Sequence, residues 1–341
     1  MKLGFAGTPQ FAVPALDALV RSRHGVAAVF TQPDRPAGRG QVLHMSAVKQ
    51  RAIELGIPVH QPRSFKTEDA EAALRGLELD ALIVVAYGLI LPPGALAAPR
   101  LGCFNIHASL LPRWRGAAPI QRALLAGDAT TGITIMRMEG GLDTGPMLAV
   151  RELAIGDRET GGTLHDRLAV LGGELIVEAL EGVARGVIHE MPQPQTGVTY
   201  ADKINKREAL IDWNDDAQRI LRRVRAFNPW PIAETRLDGA QLRVWEAELA
   251  PNAGVTPSAA LTANRGPAGE AATPAPLPGT VFHISNEGVD VACGRGALRL
   301  LRLQLAGRKP LATREFIKAQ RLEGARFANP LSSPASMTTT P

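Results

Sequence analysis

The sequence predicts an α/β protein with a doubly wound N-terminal domain followed by a small β-barrel domain. Its 341 residues are enough for about two domains, since domains average roughly 150 residues. In the first half, short apolar runs alternate with segments of helical spacing, which is typical of a parallel sheet covered by helices. After residue 206, short strand candidates follow one another between turn residues, which indicates a closed or half-closed barrel.

The first half begins with the elements that predict the parallel sheet. Strands are predicted at four apolar runs, residues 2–6, 26–31, 81–86 and 103–107. Helical spacing predicts helices over residues 11–20, 47–55 and 67–74 and around 163–184. Ligands of such folds bind beyond the carboxyl ends of the strands, so the loops that follow these strands are the candidate site loops.

The second half predicts a different architecture. Residues 186–206 are loop-like and form a predicted linker between a domain of residues 1–185 and a domain of residues 207–328. Residues 250–279 contain nine Ala, six Pro and four Gly, a composition that predicts a flexible insertion, and residues 329–341 are a predicted disordered tail. A helix is predicted near residues 215–227. Strands are predicted at residues 209–213, 232–237, 241–246, 280–284, 288–292 and 297–305.

The positive charge is concentrated in the C-terminal part. Residues 204–341 carry 18 Lys and Arg against 13 Asp and Glu, so the whole net charge of +5 lies there. Such asymmetry indicates a surface that approaches a polyanion, with phosphates the obvious candidate. A surplus of solvated arginines that keeps the protein soluble is the alternative reading.

Composition excludes several classes of protein. Two cysteines, Cys103 and Cys293, are too few for a disulfide scaffold or a four-thiolate metal site, and the histidines lack metal-ligand spacing. The longest uncharged stretch is broken by Gly88 and Pro92, so we expect no membrane span and a cytoplasmic protein. The loop at Gly7 matches neither a dinucleotide nor a phosphate-binding motif, so no nucleotide cofactor is predicted.

The most informative segment is the end of the strand at residues 103–107. Asn105 and His107 are two positions apart, so their side chains point the same way at the carboxyl edge of the sheet. An amide donor and an imidazole can stabilise the oxygen of a carbonyl that becomes tetrahedral and negative under nucleophilic attack. Cys103 lies on the same face and is either a packing residue or a pocket wall.

A Gly-rich loop supplies an acidic partner for the imidazole. Asp143 lies in this loop, after a strand predicted over residues 133–138. We expect its charge to raise the pKa of His107 above about 6.5. Asp143 could instead only cap a turn or helix.

Basic residues occur in three places that could contact a polyanion. Arg35 and Arg39 lie in a loop rich in Pro and Gly, Arg222 and Arg223 share the predicted helix of the second half with Arg219, and Arg308 and Lys309 follow its last strand. Most such residues on other proteins are merely solvated.

Several stretches together resemble the methionyl-tRNA formyltransferases across nearly the whole chain. Asn105, His107, the Ser-Leu-Leu-Pro run at residues 109–112 and the later Asp143 are typical of 10-formyltetrahydrofolate-dependent transferases in general. The arginine-containing loop at residues 31–40 and the Ala-Phe-Asn-Pro-Trp-Pro run at residues 226–231 are similar to the tRNA-directed members. Two features depart from the family pattern: the insertion at residues 250–279, and Gln41-Val42, where lysines are expected in many relatives.

The resemblance implies a Rossmann-like catalytic domain, an OB-like tRNA-binding domain and transfer of the formyl group of 10-formyltetrahydrofolate to the α-amine of methionyl initiator tRNA. Asn105 and protonated His107 would stabilise the oxyanion, and Asp143 would orient the imidazole. No metal and no nucleotide would be needed, and the protein is expected to be a monomer. Folate would lie along Ser109, Leu110, Leu111 and Pro112, with its pteridine bordered by Ala86, Tyr87, Gly88, Leu89, Ile90, Gly141 and Leu142. The tRNA contacts would come from Arg35, Arg39, Arg222, Arg223, Arg308 and Lys309.

The sequence is also compatible with three other functions. A sugar-nucleotide or purine-precursor formyltransferase would share Asn105, His107 and Asp143 and is the main alternative. An NAD-linked oxidoreductase would fit the α/β start but lacks the expected glycines. A non-catalytic RNA-binding protein is the third possibility.

Overall fold

The computed structural model describes residues 1–37, 42–251 and 276–328. These residues form two compact units, each with its own core. The first unit comprises residues 1–123, 128–157 and 163–203, and the second comprises residues 124–127, 158–162 and the described residues from 204 onward. The predicted fold class is confirmed, because one sheet is mainly parallel and the other is antiparallel. Arg39, most of the predicted insertion and the predicted tail lie outside the described residues.

The strands of the first unit are β1 (Lys2–Gly7), β2 (Gly25–Phe30), β3 (Arg35–Ala37), β4 (Val42–His44), β5 (Val59–His60), β6 (Ala81–Val85), β7 (Cys103–His107), β8 (Arg115–Gly116), β9 (Thr130–Arg137), β10 (Met147–Ala154) and β11 (Tyr200–Ala201). A 3₁₀ helix at Gln10–Ala12 precedes the helices of this part of the chain. These are α1 (Val13–Arg21), α2 (Ala47–Glu54), α3 (Glu68–Arg75), α4 (Pro93–Leu96), α5 (Pro119–Ala126) and α6 (Gly161–Ala184).

The main sheet of the first unit has the strand order β10-β9-β7-β6-β1-β2-β5. Strands β1, β2, β5, β6 and β7 are parallel, whereas β9 and β10 are antiparallel to their neighbours. All five residues of β6 are buried, as its uninterrupted apolar run predicts for a strand covered on both faces. Because β6 and β7 pair in parallel with Val84 opposite Asn105, both strands deliver their following loops to one edge.

Local signals explain where some elements begin and why others were not predicted. Ser46 is the N-cap residue of helix α2, and its hydroxyl accepts a hydrogen bond from the Lys49 amide at 3.0 Å. Strand β10 and helix α5 were not predicted. The outer part of β10 alternates partly buried and exposed residues and includes Arg151 and Glu152, so it lacks the continuous apolar run of the inner strands.

The segment predicted as a linker, residues 186–206, has ordered partners in the first unit. Strand β11 pairs in parallel with β8, and Met191 and Met147 exchange two backbone hydrogen bonds of 2.8 Å. Residues up to Lys203 therefore belong to the first unit.

The second unit has strands β12 (Ala233–Leu237), β13 (Ala240–Leu249), β14 (Val281–Ile284), β15 (Val289–Ala292), β16 (Ala297–Leu305) and β17 (Leu311–Ala312), with helices α7 (Ala217–Ala226) and α8 (Thr313–Ala319). Its sheet has the order β12-β13-β16-β15-β14, with β17 added to β16, and every pairing is antiparallel. Trp213 lies in the core of this unit and donates its indole N–H to the Thr235 hydroxyl at 2.9 Å.

The closing segment, residues 325–328, joins the two outer parts of this sheet. Ala328 donates its amide to the Arg236 carbonyl in β12 at 3.0 Å, while Phe327 donates to the carbonyl of Gly279, just before β14, at 2.8 Å. The sheet is therefore half closed by backbone hydrogen bonds, in keeping with the predicted barrel.

The prediction of a strand over residues 209–213 is wrong. A 3₁₀ helix occupies Lys206–Ala209 instead, and only Leu210 makes an isolated bridge. The reason is a capping box: the Asn205 side chain accepts from the Arg207 amide at 2.9 Å, and the Glu208 carboxylate accepts from the Asn205 amide at 2.8 Å.

Candidate active site

A cavity of about 600 Å³ lies at the carboxyl ends of β6 and β7 in the first unit. Asn105 and His107 both line it, together with residues that follow β6. His107 is only 5% exposed. The placement follows from the strand register and from the two-residue side-chain period of β7, which turns both side chains to the same face.

Asp143 reaches the same cavity from the loop after β9. Its carboxylate accepts the Gly116 amide at 2.8 Å and the Asn105 side-chain amide at 3.4 Å, and it lies 3.7 Å from Nδ1 of His107. Asp143 has a φ of +51°, in the left-handed region that residues other than glycine seldom adopt. The structure therefore brings together the three residues predicted to be catalytic, and it holds the carboxylate in a strained backbone conformation.

The protonation of His107 is set by a backbone carbonyl. Nε2 of His107 lies 2.9 Å from the carbonyl oxygen of Trp114. Because a carbonyl oxygen only accepts, Nε2 must carry the proton of the neutral imidazole. The lone pair is then on Nδ1, which faces Asp143.

The pKa of His107 is lowered, contrary to the expectation from the sequence. Burial of the imidazole lowers the pKa below 6.5, and this effect exceeds the opposing effects of the Asp143 charge and the hydrogen bond to Trp114. The neighbouring carboxylate can be predicted from the sequence, whereas the burial of the ring in low-dielectric surroundings cannot. His107 is therefore neutral at pH 7, with Nδ1 available to accept a proton.

The loop between β7 and β8 is held by hydrogen bonds that aim the Trp114 carbonyl at His107. The Trp114 amide donates to the Thr199 hydroxyl at 2.9 Å, and its indole N–H donates to Asp128 at 2.8 Å. Trp114 also has a positive φ, +65°. The Arg113 guanidinium covers its ring at 4.3 Å and pairs with Asp128 at 2.7 Å.

Five of the residues assigned to folate by resemblance line the cavity, namely Ala86, Tyr87, Gly88, Leu89 and Leu142. Ile90, Gly141 and residues 109–112 do not line it. The buried Ser109 hydroxyl donates instead to the Arg113 carbonyl at 2.5 Å, and Leu111 packs with Met136 and Met147. Their assignment to folate stays a prediction without support from their position.

The cavity also has walls whose residues were not predicted as site residues. Phe11 and His165 pack edge to face on one side, with ring centroids 5.1 Å apart. Residues 116–121 form another wall; most of them belong to the stretches that resemble the formyltransferases, which was the available signal. Trp114 and Gly116 act through backbone atoms, for which the sequence carries no direct signal.

Comparison with known proteins assigns the chain to a family. Family models described as formyl transferase and as formyl transferase C-terminal domain match residues 1–180 and 203–321. The methionyl-tRNA formyltransferase of Methylococcus capsulatus is 52% identical over 327 residues, covering 96% of this chain and 99% of that protein. That of Chromohalobacter salexigens is 52% identical over 330 residues, covering 96% and 95%. The chain belongs to the methionyl-tRNA formyltransferase family. The resemblance and the enzyme class inferred from the sequence are confirmed.

Solved structures share the fold of this family member at low sequence identity. The sugar 3N-formyl transferase WlaRD has a TM-score of 0.61 and 16% identity, covering 91% of this chain and 99% of that one. HypX from Aquifex aeolicus, solved with tetrahydrofolic acid, has a TM-score of 0.59 and 16% identity, covering 93% of this chain and 46% of that one. This chain thus spans about half the length of HypX, and the likeness concerns the fold alone.

The basic residues predicted to contact tRNA differ in their exposure and in the partners their side chains already have. Arg35 in β3 and Arg308 and Lys309 after β16 are exposed. Arg222 donates to the Ala126 carbonyl at 3.2 Å. Arg223 pairs with Asp215 at 3.3 Å and its side chain is only 16% exposed, so it is a poor candidate for a phosphate contact.

Two properties of the described residues concern metal ions and membranes. Across residues 1–37, 42–251 and 276–328, no group of His, Cys, Asp or Glu side chains could hold a metal ion. Within those same ranges, no helix is long and apolar enough to cross a membrane.

Proposed function

We propose that this chain transfers the formyl group of 10-formyltetrahydrofolate to the α-amine of methionyl initiator tRNA, with Asn105, His107 and Asp143 as its catalytic residues. The observation that carries the proposal is the convergence of these side chains in one cavity. Identity of about half of all positions to methionyl-tRNA formyltransferases supports the choice of substrates.

The chemistry requires one proton to leave the attacking amine and one to reach the leaving group. The amine nitrogen bonds to the formyl carbon while the carbonyl π electrons move to oxygen. Collapse of this tetrahedral adduct breaks the bond to N10 of the folate, which then takes a proton. Neutral His107 can accept the first proton at Nδ1 and return it to N10, because one group serves as base and then acid.

Asn105 and Asp143 have complementary roles in this scheme. The Asn105 amide donates toward the developing oxyanion, which lies in a cavity where such a hydrogen bond is worth more than in water. Asp143 stabilises the imidazolium that forms when His107 accepts the proton. The imidazolium expected from the sequence thus arises during the reaction rather than before it.

The test is formation of N-formylmethionyl-tRNA from methionyl-tRNA and 10-formyltetrahydrofolate. Asn105→Ala and His107→Ala are expected to reduce kcat by about 10²–10³-fold, the usual effect of removing an oxyanion donor or a general base, with tRNA affinity retained. His189→Ala, at an exposed histidine, is the matched control and should retain activity. Full activity of both variants would refute the assigned roles.

The sugar-nucleotide alternative can be tested in the same reaction. One structure with this fold, an N-formyltransferase from Helicobacter canadensis, was solved with dTDP-3-aminofucose, at 15% identity and a TM-score of 0.59. We expect formyl transfer to methionyl-tRNA and none to dTDP-3-aminofucose. The reverse result would favour the sugar substrate.

The proposal extends to the tRNA contacts and the setting. Arg35, Arg39, Arg222, Arg308 and Lys309 are the proposed phosphate contacts, and the domain of residues 207–328 is the proposed tRNA-binding domain. We propose that the enzyme acts as a monomer in the cytoplasm, where aminoacylated tRNA is made.

A further inference from the structure

Gln193 lies in the segment before β11 and uses its whole side-chain amide in hydrogen bonds. Its Nε2 donates to the backbone carbonyls of Asp143 and Gly145, both at 2.8 Å. Its Oε1 accepts from Nε and Nη2 of Arg115, at 3.1 and 2.7 Å. The two donors of a glutamine amide and both lone pairs of its oxygen are therefore occupied.

These four bonds connect the two pieces of chain that hold the Asp143 carboxylate. One piece is the loop containing Asp143 itself, which has a positive φ. The other is β8, where Gly116, next to Arg115, donates its amide to Asp143 at 2.8 Å. Gln193 thus holds Asp143 in two ways. It donates directly to the Asp143 carbonyl, and it binds Arg115, the neighbour of the Gly116 amide that donates to the Asp143 carboxylate.

Anchoring the segment around Gln193 does not require this residue. Met191 and Met147 are joined by two backbone hydrogen bonds, and β11 pairs with β8. Thr199 accepts the Trp114 amide. The contacts special to Gln193 are therefore those at Asp143 and Arg115.

We infer that Gln193 is a positioning residue that keeps the Asp143 carboxylate against His107 and Asn105. The inference rests on the proposed roles of those three residues. Gln193 is not among the residues that line the catalytic cavity; it lines a separate pocket of about 500 Å³ with Arg115 and Glu139. It acts on the reaction only through Asp143.

Two variants remove different sets of the hydrogen bonds made by Gln193. Gln193→Ala removes all four hydrogen bonds. Gln193→Glu keeps an acceptor for Arg115 but cannot donate to the Asp143 and Gly145 carbonyls. We expect both to lower kcat by about 10- to 100-fold, because small displacements of catalytic groups cost up to about 10²-fold. The KM for each substrate should stay within twofold. Gln195→Ala, in the same pocket, is the control and should resemble the unmodified protein.

The pKa of His107, measured by NMR titration, gives a second readout that a purely structural role would not change. Asp143 is the charged group that raises this pKa, and the charged residues that line the same pocket as Gln193 are Arg115 and Glu139. A displaced Asp143 raises the pKa of His107 less, so His107 should titrate at lower pH in Gln193→Ala than in the unmodified protein. Unfolding temperature is measured alongside to identify a variant that has lost its fold.

The outcomes distinguish this inference from the proposed function. Unchanged kcat and an unchanged His107 pKa in both Gln193 variants would refute the inference. Activity in His107→Ala or Asp143→Ala equal to that of the unmodified protein would instead refute the catalytic roles on which it rests.

Discussion

The pKa of His107 depends more on the burial of its ring than on the nearby Asp143 carboxylate. Its carboxylate neighbour lies at 3.7 Å, whereas the ring is almost wholly buried and Nε2 is committed to the Trp114 carbonyl. Burial penalises the charged imidazole, so the resting enzyme has a neutral base with a defined tautomer. A neutral base at pH 7 suits the removal of a proton from an amine.

This protonation state predicts a pH dependence. Because burial lowers the pKa of His107, an NMR titration of its ring should have a midpoint below pH 6.5. Asp143→Asn removes the charge that raises this pKa, so the midpoint of the titration should move to still lower pH, and kcat should fall about 10²-fold. A midpoint at or above pH 6.5 in the unmodified protein would contradict the prediction.

The same shift affects stability with a definite sign. The unfolded chain has an ordinary histidine pKa of about 6.5 and so binds more protons than the folded chain in mildly acidic solution. The contribution of His107 to the free energy of unfolding is therefore present above pH 6.5 and falls as the pH drops below it. His24, whose pKa is also lowered by burial, contributes with the same sign.

At the scale of elements, the loop after β9 must turn sharply to bring Asp143 to the cavity. A Cβ added at Gly145 would overlap the Arg137 carbonyl oxygen, whereas one added at Gly140, in the same loop, would meet nothing within 4 Å. Gly145→Ala must therefore move the loop. We expect kcat to fall about 10²-fold in Gly145→Ala, the usual cost of a displacement near 1 Å, and to be unchanged in Gly140→Ala. Steady-state kinetics of the pair provide the measurement, and equal activities would contradict it.

Strands carry the part of the site that could be predicted from the sequence. The apolar run of β7 and its two-residue period predicted that Asn105 and His107 share a face at the ligand-binding edge. The pairing of Asp143 with His107 was predicted because an imidazole base needs an acidic partner and because the resemblance implies one. The bonds from the Trp114 carbonyl and the Gly116 amide could not be predicted, because every residue has these groups. The pKa direction of His107 required knowledge of its burial.

Elsewhere in the chain, local signals competed with the periodic pattern. Residues 209–213 have the composition of a strand, but the capping box at Asn205 and Glu208 favours a helical turn just before them. Strand β10 is amphipathic and was therefore weaker as a signal than the inner strands. The role of residues 186–203 could not be predicted, because their partners β8 and the Asp143 loop are distant in sequence.

At the scale of the whole molecule, the proposed tRNA contacts predict a strong dependence on salt. Arg308 and Lys309 are exposed, and within residues 1–37, 42–251 and 276–328 neither forms an ion pair with an acidic side chain. Arg308→Ala and Lys309→Ala should each weaken tRNA binding and reduce the slope of log affinity against log salt by about one. Arg302→Ala is the control, because Arg302 in β16 is paired with Glu246 at 3.5 Å. Filter binding at several salt concentrations measures the slopes, and unchanged slopes in the first two variants would remove these residues from the interface.

The closing segment has a practical consequence for anyone who shortens the chain. Residues 325–328 supply backbone partners to β12 and to the start of β14. A protein truncated before residue 325 would leave the Arg236 carbonyl in β12, and the Gly279 carbonyl and Val281 amide at the start of β14, without these partners. Unpaired backbone groups at a sheet edge act as templates for intermolecular strand addition. Such a truncation is expected to form aggregates, whereas an affinity tag attached beyond residue 328 leaves these pairings intact.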